Sequence, residues 1–118
     1  ALRHEDFPMT AGTQRRDWIH VNDVVAGFKA LAADTKLKPG ETVELGTGEV
    51  HSVATMVETI YQITKSEGKP LIGALPSRPG EAAEQIADVD RSFALTGWYP
   101  TFSLRDGLQQ MQSVLEAI

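Results

Sequence analysis

Gln14-Arg15-Arg16-Asp17-Trp18-Ile19-His20-Val21-Asn22-Asp23-Val24 is the stretch that separates one fold class from another in this chain. It passes from a charged approach into a short apolar segment and straight on into an amphipathic run. Trp18-Ile19-His20-Val21 is aromatic and β-branched, which predicts a strand. Asn22 is placed to cap the helix that follows, because its side-chain oxygen can accept a bond from a free first-turn amide. Val24, Val25, Phe28, Leu31 and Ala32 then recur at helical spacing to about residue 34. Lys38-Pro39-Gly40 closes this first strand–helix unit.

The same alternation continues downstream. Thr42-Val43-Glu44-Leu45 predicts a second strand, left through Gly46-Thr47-Gly48. Ser52 can cap a helix with a stripe of Val53, Met56, Val57, Ile60 and Ile63, ending near Ser66 before Gly68 and Pro70. Leu71 to Leu75 predicts a third strand, Pro76 to Gly80 a loop, and Ala83 to Val89 a short extended piece. One helical turn from Asp90 should stop at Gly97. Ser103-Leu104-Arg105-Asp106 resembles a capping box, and Leu104, Leu108, Met111, Leu115 and Ile118 give the last helix an apolar face. Strands alternating with helices across short loops predict an α/β fold: a small parallel or mixed sheet of about three strands with flanking helices. Residues 1–13, broken by Pro8 and Gly12, read as a lead-in, and residues 14–118 as a single α/β lobe.

Composition narrows the function. A chain of 118 residues fits one domain that buries about two-thirds of its unfolded surface. Eleven basic against sixteen acidic residues give a formal charge of −5. That balance argues against nucleic acid, whose binding rests on phosphate neutralisation, and no basic run longer than Arg15-Arg16 offers itself to an anionic membrane. The absence of cysteine removes disulfides, thiolate metal sites and cysteine nucleophiles. His4, His20 and His51 are too scattered for a metal site. With no apolar run of membrane-spanning length and no signal-peptide pattern, the expected location is cytoplasmic.

Arg16 and Arg78 are the candidate ligand-binding residues. A guanidinium offers a planar fork of donors that matches phosphate oxygens, and two from separate loops could clamp a diphosphate. Composition alone favours the blander alternative, in which Arg16 pairs with Asp17, and Arg78 with Glu81 or Glu84, as weak surface ion pairs. Gly46-Thr47-Gly48 lacks the third glycine of a dinucleotide fingerprint, since position 51 is His51, so it reads as a tight turn. Tyr61 and Lys65 have Tyr-x-x-x-Lys spacing, but on an amphipathic helix this short pattern arises by chance, and it is set aside as coincidence.

Gly12 to Val21 is similar to the G-x-Q-x-R-D-aromatic-I-x-V signature of extended short-chain dehydrogenases/reductases, the NAD-dependent nucleotide-sugar epimerase/dehydratase family. Val43 to Glu49 resembles its x-N-L-G-x-G turn, and Arg78-Pro79-Gly80-Glu81 its R-x-G-D/E turn. Leu95 to Pro100 resembles L-G-W-x-P with one extra residue, and Leu104 to Leu108 matches L-x-x-G-L. Asn22 stands where an aspartate is usual and Glu44 where an asparagine is usual. The match covers residues 12–118 and corresponds to the C-terminal substrate-binding lobe, without the N-terminal Rossmann domain.

The resemblance implies that Arg16 and Arg78 contact the diphosphate of a nucleoside-diphosphate sugar, that Glu81 bonds the ribose hydroxyls, and that Trp18 lines the same pocket. It implies no cofactor site and no catalytic residue in this chain, because NAD or NADP and the tyrosine–lysine machinery belong to the missing domain. The lobe alone is then expected to bind without turnover, as a homodimer or beside a separate Rossmann-domain chain. Two alternatives stay open. In one, an interaction or oligomerisation protein has lost its ligand and self-associates through the surface left by the missing domain. In the other, Tyr61 and Lys65 form a real pair in a minimal reductase.

Overall fold

A computed structural model describes residues 1–80 and 84–118. Short strands alternate with four helices in the order β1 (Phe7–Pro8), β2 (Arg15–Arg16), α1 (Val21–Ala33), β3 (His51–Ser52), α2 (Val53–Ile63), β4 (Pro70–Leu71), β5 (Glu84–Gln85), α3 (Val89–Thr96) and α4 (Leu104–Glu116). The expected α/β architecture with a small mixed sheet is what forms. In the three-stranded sheet β2 is central, antiparallel to β3 and parallel to β5, with Arg16 opposite both His51 and Gln85. A second, two-stranded parallel sheet joins β1 to β4, so part of the stretch read as a lead-in belongs to a sheet, and its Met9 is buried.

The helices obey their local signals. Ser52 Oγ accepts from the Thr55 amide at 3.0 Å and Ser103 Oγ from the Asp106 amide at 3.1 Å, each cap worth about 1 kcal/mol. Gly97 ends α3 in the left-handed conformation at φ 75°, where a side chain would be strained.

The strands do not fall where residue type alone places them. Trp18 to His20 lies outside the ladder, which is formed one step earlier by Arg15–Arg16. Thr42 to Leu45 makes no ladder because α3 takes its carbonyls: Arg91 donates to Thr42 O and the buried Ser92 hydroxyl lies 2.6 Å from Glu44 O. Of Leu71 to Leu75 only Leu71 is in a strand, and Gly73 turns the chain at φ 84°.

The cap of α1 is His20, not Asn22: His20 Nδ1 accepts from the Asn22 amide at 3.0 Å. Its Nε2 then carries the proton and lies 2.8 Å from Gln110 Oε1, while the ring stacks on Phe102 at 4.2 Å. One imidazole thus joins the start of α1 to α4.

The lobe measures 50 × 38 × 18 Å. A lobe this thin along one axis leaves few side chains deeply buried, and Met9, Val89 and Trp98 are the buried hydrophobic residues among those described. The radius of gyration, 16.9 Å, exceeds the roughly 13.5 Å of a compact domain of this length. Helix α1 also turns an unexpected side inward. Its buried positions are Asp23 and Gly27, and a methyl group at Gly27 would sit 2.6 Å from a Leu45 methyl. Val21, Val25 and Phe28, spaced along the other face, are 65%, 47% and 63% exposed.

Candidate functional site

The end of β2 delivers Arg16 and Asp17 to an open cleft of about 600 Å³. Its walls are Glu44, Leu45 and Gly46 from the segment entering the 46–48 turn, and Glu84 and Gln85 from β5. β5 runs parallel to β2 in the register Arg15↔Glu84 and Arg16↔Gln85, and Arg78 precedes it by six residues in sequence without lining the cleft. Arg78 itself is exposed, and Glu81 lies outside the described residues.

Asp17 is not an ion-pair partner of Arg16. Its Oδ1 accepts from the Thr47 amide at 2.8 Å and the Thr47 hydroxyl at 2.6 Å. Its Oδ2 accepts from the Gly48 amide at 2.9 Å and the Ala87 amide at 3.1 Å. Burial by itself raises the carboxyl pKa, but the Thr47 hydroxyl and the Thr47, Ala87 and Gly48 amides stabilise the anion. The net result lies below the ordinary 3.8. The turn packs hard against this carboxylate: a methyl at Gly46 would lie 2.7 Å from Asp17 Oδ2 and 2.5 Å from the Ala87 methyl.

The Gly46-Thr47-Gly48 turn does not fit a dinucleotide phosphate. A phosphate-cradling loop must offer free amides, whereas the amides of Thr47 and Gly48 already bind Asp17.

Trp18 is not brought to the Arg16 cleft. Its indole donates to His51 O at 3.1 Å, and its ring borders a separate cavity of about 220 Å³ with Met56, Leu104, Leu108 and Met111. Tyr61 spends its hydroxyl on Glu5 O at 2.7 Å, and Lys65 follows the helix at φ 50°. Tyr61 therefore ties down the N-terminal segment. Among the described residues no group of three His, Asp or Glu could hold a metal ion, and no helix is long and apolar enough to cross a membrane.

A second carboxylate escaped the sequence reading. Asp23 is only 2% exposed; its Oδ1 accepts from the Thr101 amide at 3.0 Å and hydroxyl at 2.9 Å, its Oδ2 from the Phe102 amide at 3.0 Å. The Asp23 backbone carbonyl also accepts from the indole of Trp98 at 3.0 Å. An acidic residue in a first helical turn is common enough that its identity carried no hint of burial.

This arrangement of strands and helices is that of the C-terminal lobe of an extended short-chain dehydrogenase/reductase. Residues 2–111 match the GDP-mannose 4,6 dehydratase family model, and the chain belongs to that family. CDP-abequose synthase of Salmonella muenchen is 31% identical over 113 residues, 96% of this chain and 38% of that protein. Among solved structures, an epimerase of Methanothermobacter thermautotrophicus superposes with a TM-score of 0.86 at 26% identity, over 98% of this chain and 34% of its own. The UDP-glucuronic acid 4-epimerase of Bacillus cereus, in complex with UDP-glucuronic acid and NAD, gives 0.83 at 26% identity, over 98% of this chain and 37% of its own. The chain thus spans little more than a third of the length of these relatives.

Proposed function

We propose that this lobe binds the nucleoside-diphosphate portion of a nucleotide sugar in the Arg16 cleft. Arg16 and Arg78 hold the diphosphate and Glu81 the ribose hydroxyls, while Trp18 fixes β2 from behind through its bond to β3. The observation that carries this reading is the parallel pairing of β2 with β5, which puts Arg16 beside the strand that the Arg78 loop enters. NAD or NADP chemistry would come from an N-terminal Rossmann domain, on the same or a separate polypeptide, with this lobe contributing substrate recognition and no catalytic group. The occupied amides of the Gly46–Gly48 turn support placing the cofactor elsewhere. Calorimetric titration of the chain with UDP, dTDP and CDP tests the proposal. Micromolar to low-millimolar binding, abolished by Arg16→Ala or Arg78→Ala, is expected; no heat with any of the three overturns it.

A second reading, self-association, draws on the open face of α1, where Val21, Val25 and Phe28 lie uncovered. Such a face is ordinarily buried against a partner. Light scattering on the chain and on Val25→Glu decides it: a dimer that the charge dissolves supports self-association, and a monomer in both rejects it.

A further inference from the structure

We infer that Asp17 is the positioning residue of the cleft, holding the turn at 46–48 and the end of β5 in place around Arg16. This rests on the nucleotide reading given above. The carboxylate lies next in sequence to Arg16, and the hydrogen bonds it accepts come from the two sides of the same cleft. Thr47 and Gly48 present the turn, and Ala87 presents the backbone just beyond β5. The two oxygens divide the work. Oδ1 takes both Thr47 donors, and Oδ2 bridges Gly48 to Ala87, so only a group with two acceptor oxygens takes all four donors at once.

The space around it is equally committed. Gly46 has no room for a methyl between Asp17 and Ala87, and at Gly48 a methyl would meet a Val89 side chain at 2.7 Å. The walls therefore approach each other as closely as backbone permits, with the carboxylate between them. Asp17 offers a ligand nothing directly, since its acceptors are occupied. Its influence passes through the geometry it gives Arg16, Glu44 and the strand entered from the Arg78 loop. A site misplaced by about 1 Å can lose up to two orders of magnitude in the interactions it was built for.

The structure supplies its own control. Asp23 is a second carboxylate accepting two backbone amides and a threonine hydroxyl, in the helix–loop junction at Thr101–Phe102 and not in the cleft. Asp17→Asn and Asp23→Asn should both lower the melting temperature. Only Asp17→Asn should weaken UDP, by about tenfold or more, measured by calorimetry at a temperature where circular dichroism shows each variant folded. Should Asp17→Asn leave the chain unfolded, Thr47→Val, which removes one donor to Oδ1, takes its place with a smaller loss of several-fold expected. Equal UDP affinity in wild type and the folded cleft variant overturns the positioning role while leaving the nucleotide reading intact. Equal weakening by Asp23→Asn overturns it too, by showing that affinity merely follows stability. Absence of UDP, dTDP and CDP binding in the wild type overturns both together.

Discussion

Replacing Asp23 by Asn should destabilise this chain by about 3 kcal/mol. The substitution keeps shape and volume, so packing hardly changes and hydrogen bonding decides the outcome. The amide can turn its oxygen toward Thr101 or toward Phe102, and either choice leaves one of those backbone amides facing an NH2 group. At 2% exposure no water replaces the lost acceptor. A buried bond to a charged acceptor contributes about 1.5–3 kcal/mol, and stranding its donor adds to that loss. The bonds that survive also weaken, because a neutral oxygen replaces an anionic one. Against a typical folding free energy of about 5–15 kcal/mol this is a large share. For a domain of this size 3 kcal/mol corresponds to a fall in Tm of about 10 °C, readable by circular dichroism at neutral pH. A fall of less than about 2 °C would show that the carboxylate charge is not what holds α1 to the 98–102 segment.

Asp17 makes stability pH-dependent in a defined window. Its folded pKa lies below the ordinary 3.8, so its contribution is complete above that value and disappears as pH falls through the folded one. The Tm gap between wild type and Asp17→Asn should stay constant from about pH 8 to 5 and close below about pH 4; a gap that closes near neutrality contradicts the assignment. Gly46→Ala places a methyl 2.5 Å from that of Ala87 and should cost about 1–3 kcal/mol in urea denaturation, with no loss meaning that the turn can retreat from Asp17. Tyr61→Phe removes the bond to Glu5 O, for about 1 kcal/mol of stability, and should leave UDP affinity unchanged; a changed affinity would return Tyr61 to the functional residues.

Legibility in the sequence followed the range of the interactions. Helix caps at Ser52 and Ser103 and the stop at Gly97 act within a few residues of themselves, and each could be read directly. Strands of two residues depend on what lies opposite, and the pairing of Arg16 with Gln85 has no local signature. Thr42 to Leu45 has strand composition, but its carbonyls were claimed by Arg91 and Ser92 almost fifty residues on. The apolar stripe on α1 was only partly covered, Val24 and Leu31 being half-buried and Val25 and Phe28 exposed, because periodicity reports an apolar face without saying what covers it. Asp17 entered the sequence reading only as a possible surface partner of Arg16, since the groups it binds are 30 to 70 residues distant.

Those separations also set the order in which the molecule can assemble. Helices α2 and α4 can form within their own segments, but the cleft closes only when Asp17 meets Ala87, 70 residues apart. That closure carries the entropic cost of a long loop, which grows only slowly with length. Once made, it shortens the next. His20 and Gln110 are 90 residues apart along the chain, yet with 17 joined to 87 the remaining path is the three residues from 17 to 20 and the 23 from 87 to 110. The Asp17–Ala87 closure therefore works as a zipper stop, and α4 docks cheaply behind it. During synthesis the walls of the cleft cannot meet until residue 87 has emerged, which places closure of the cleft after every element from β1 to β5 has left the ribosome.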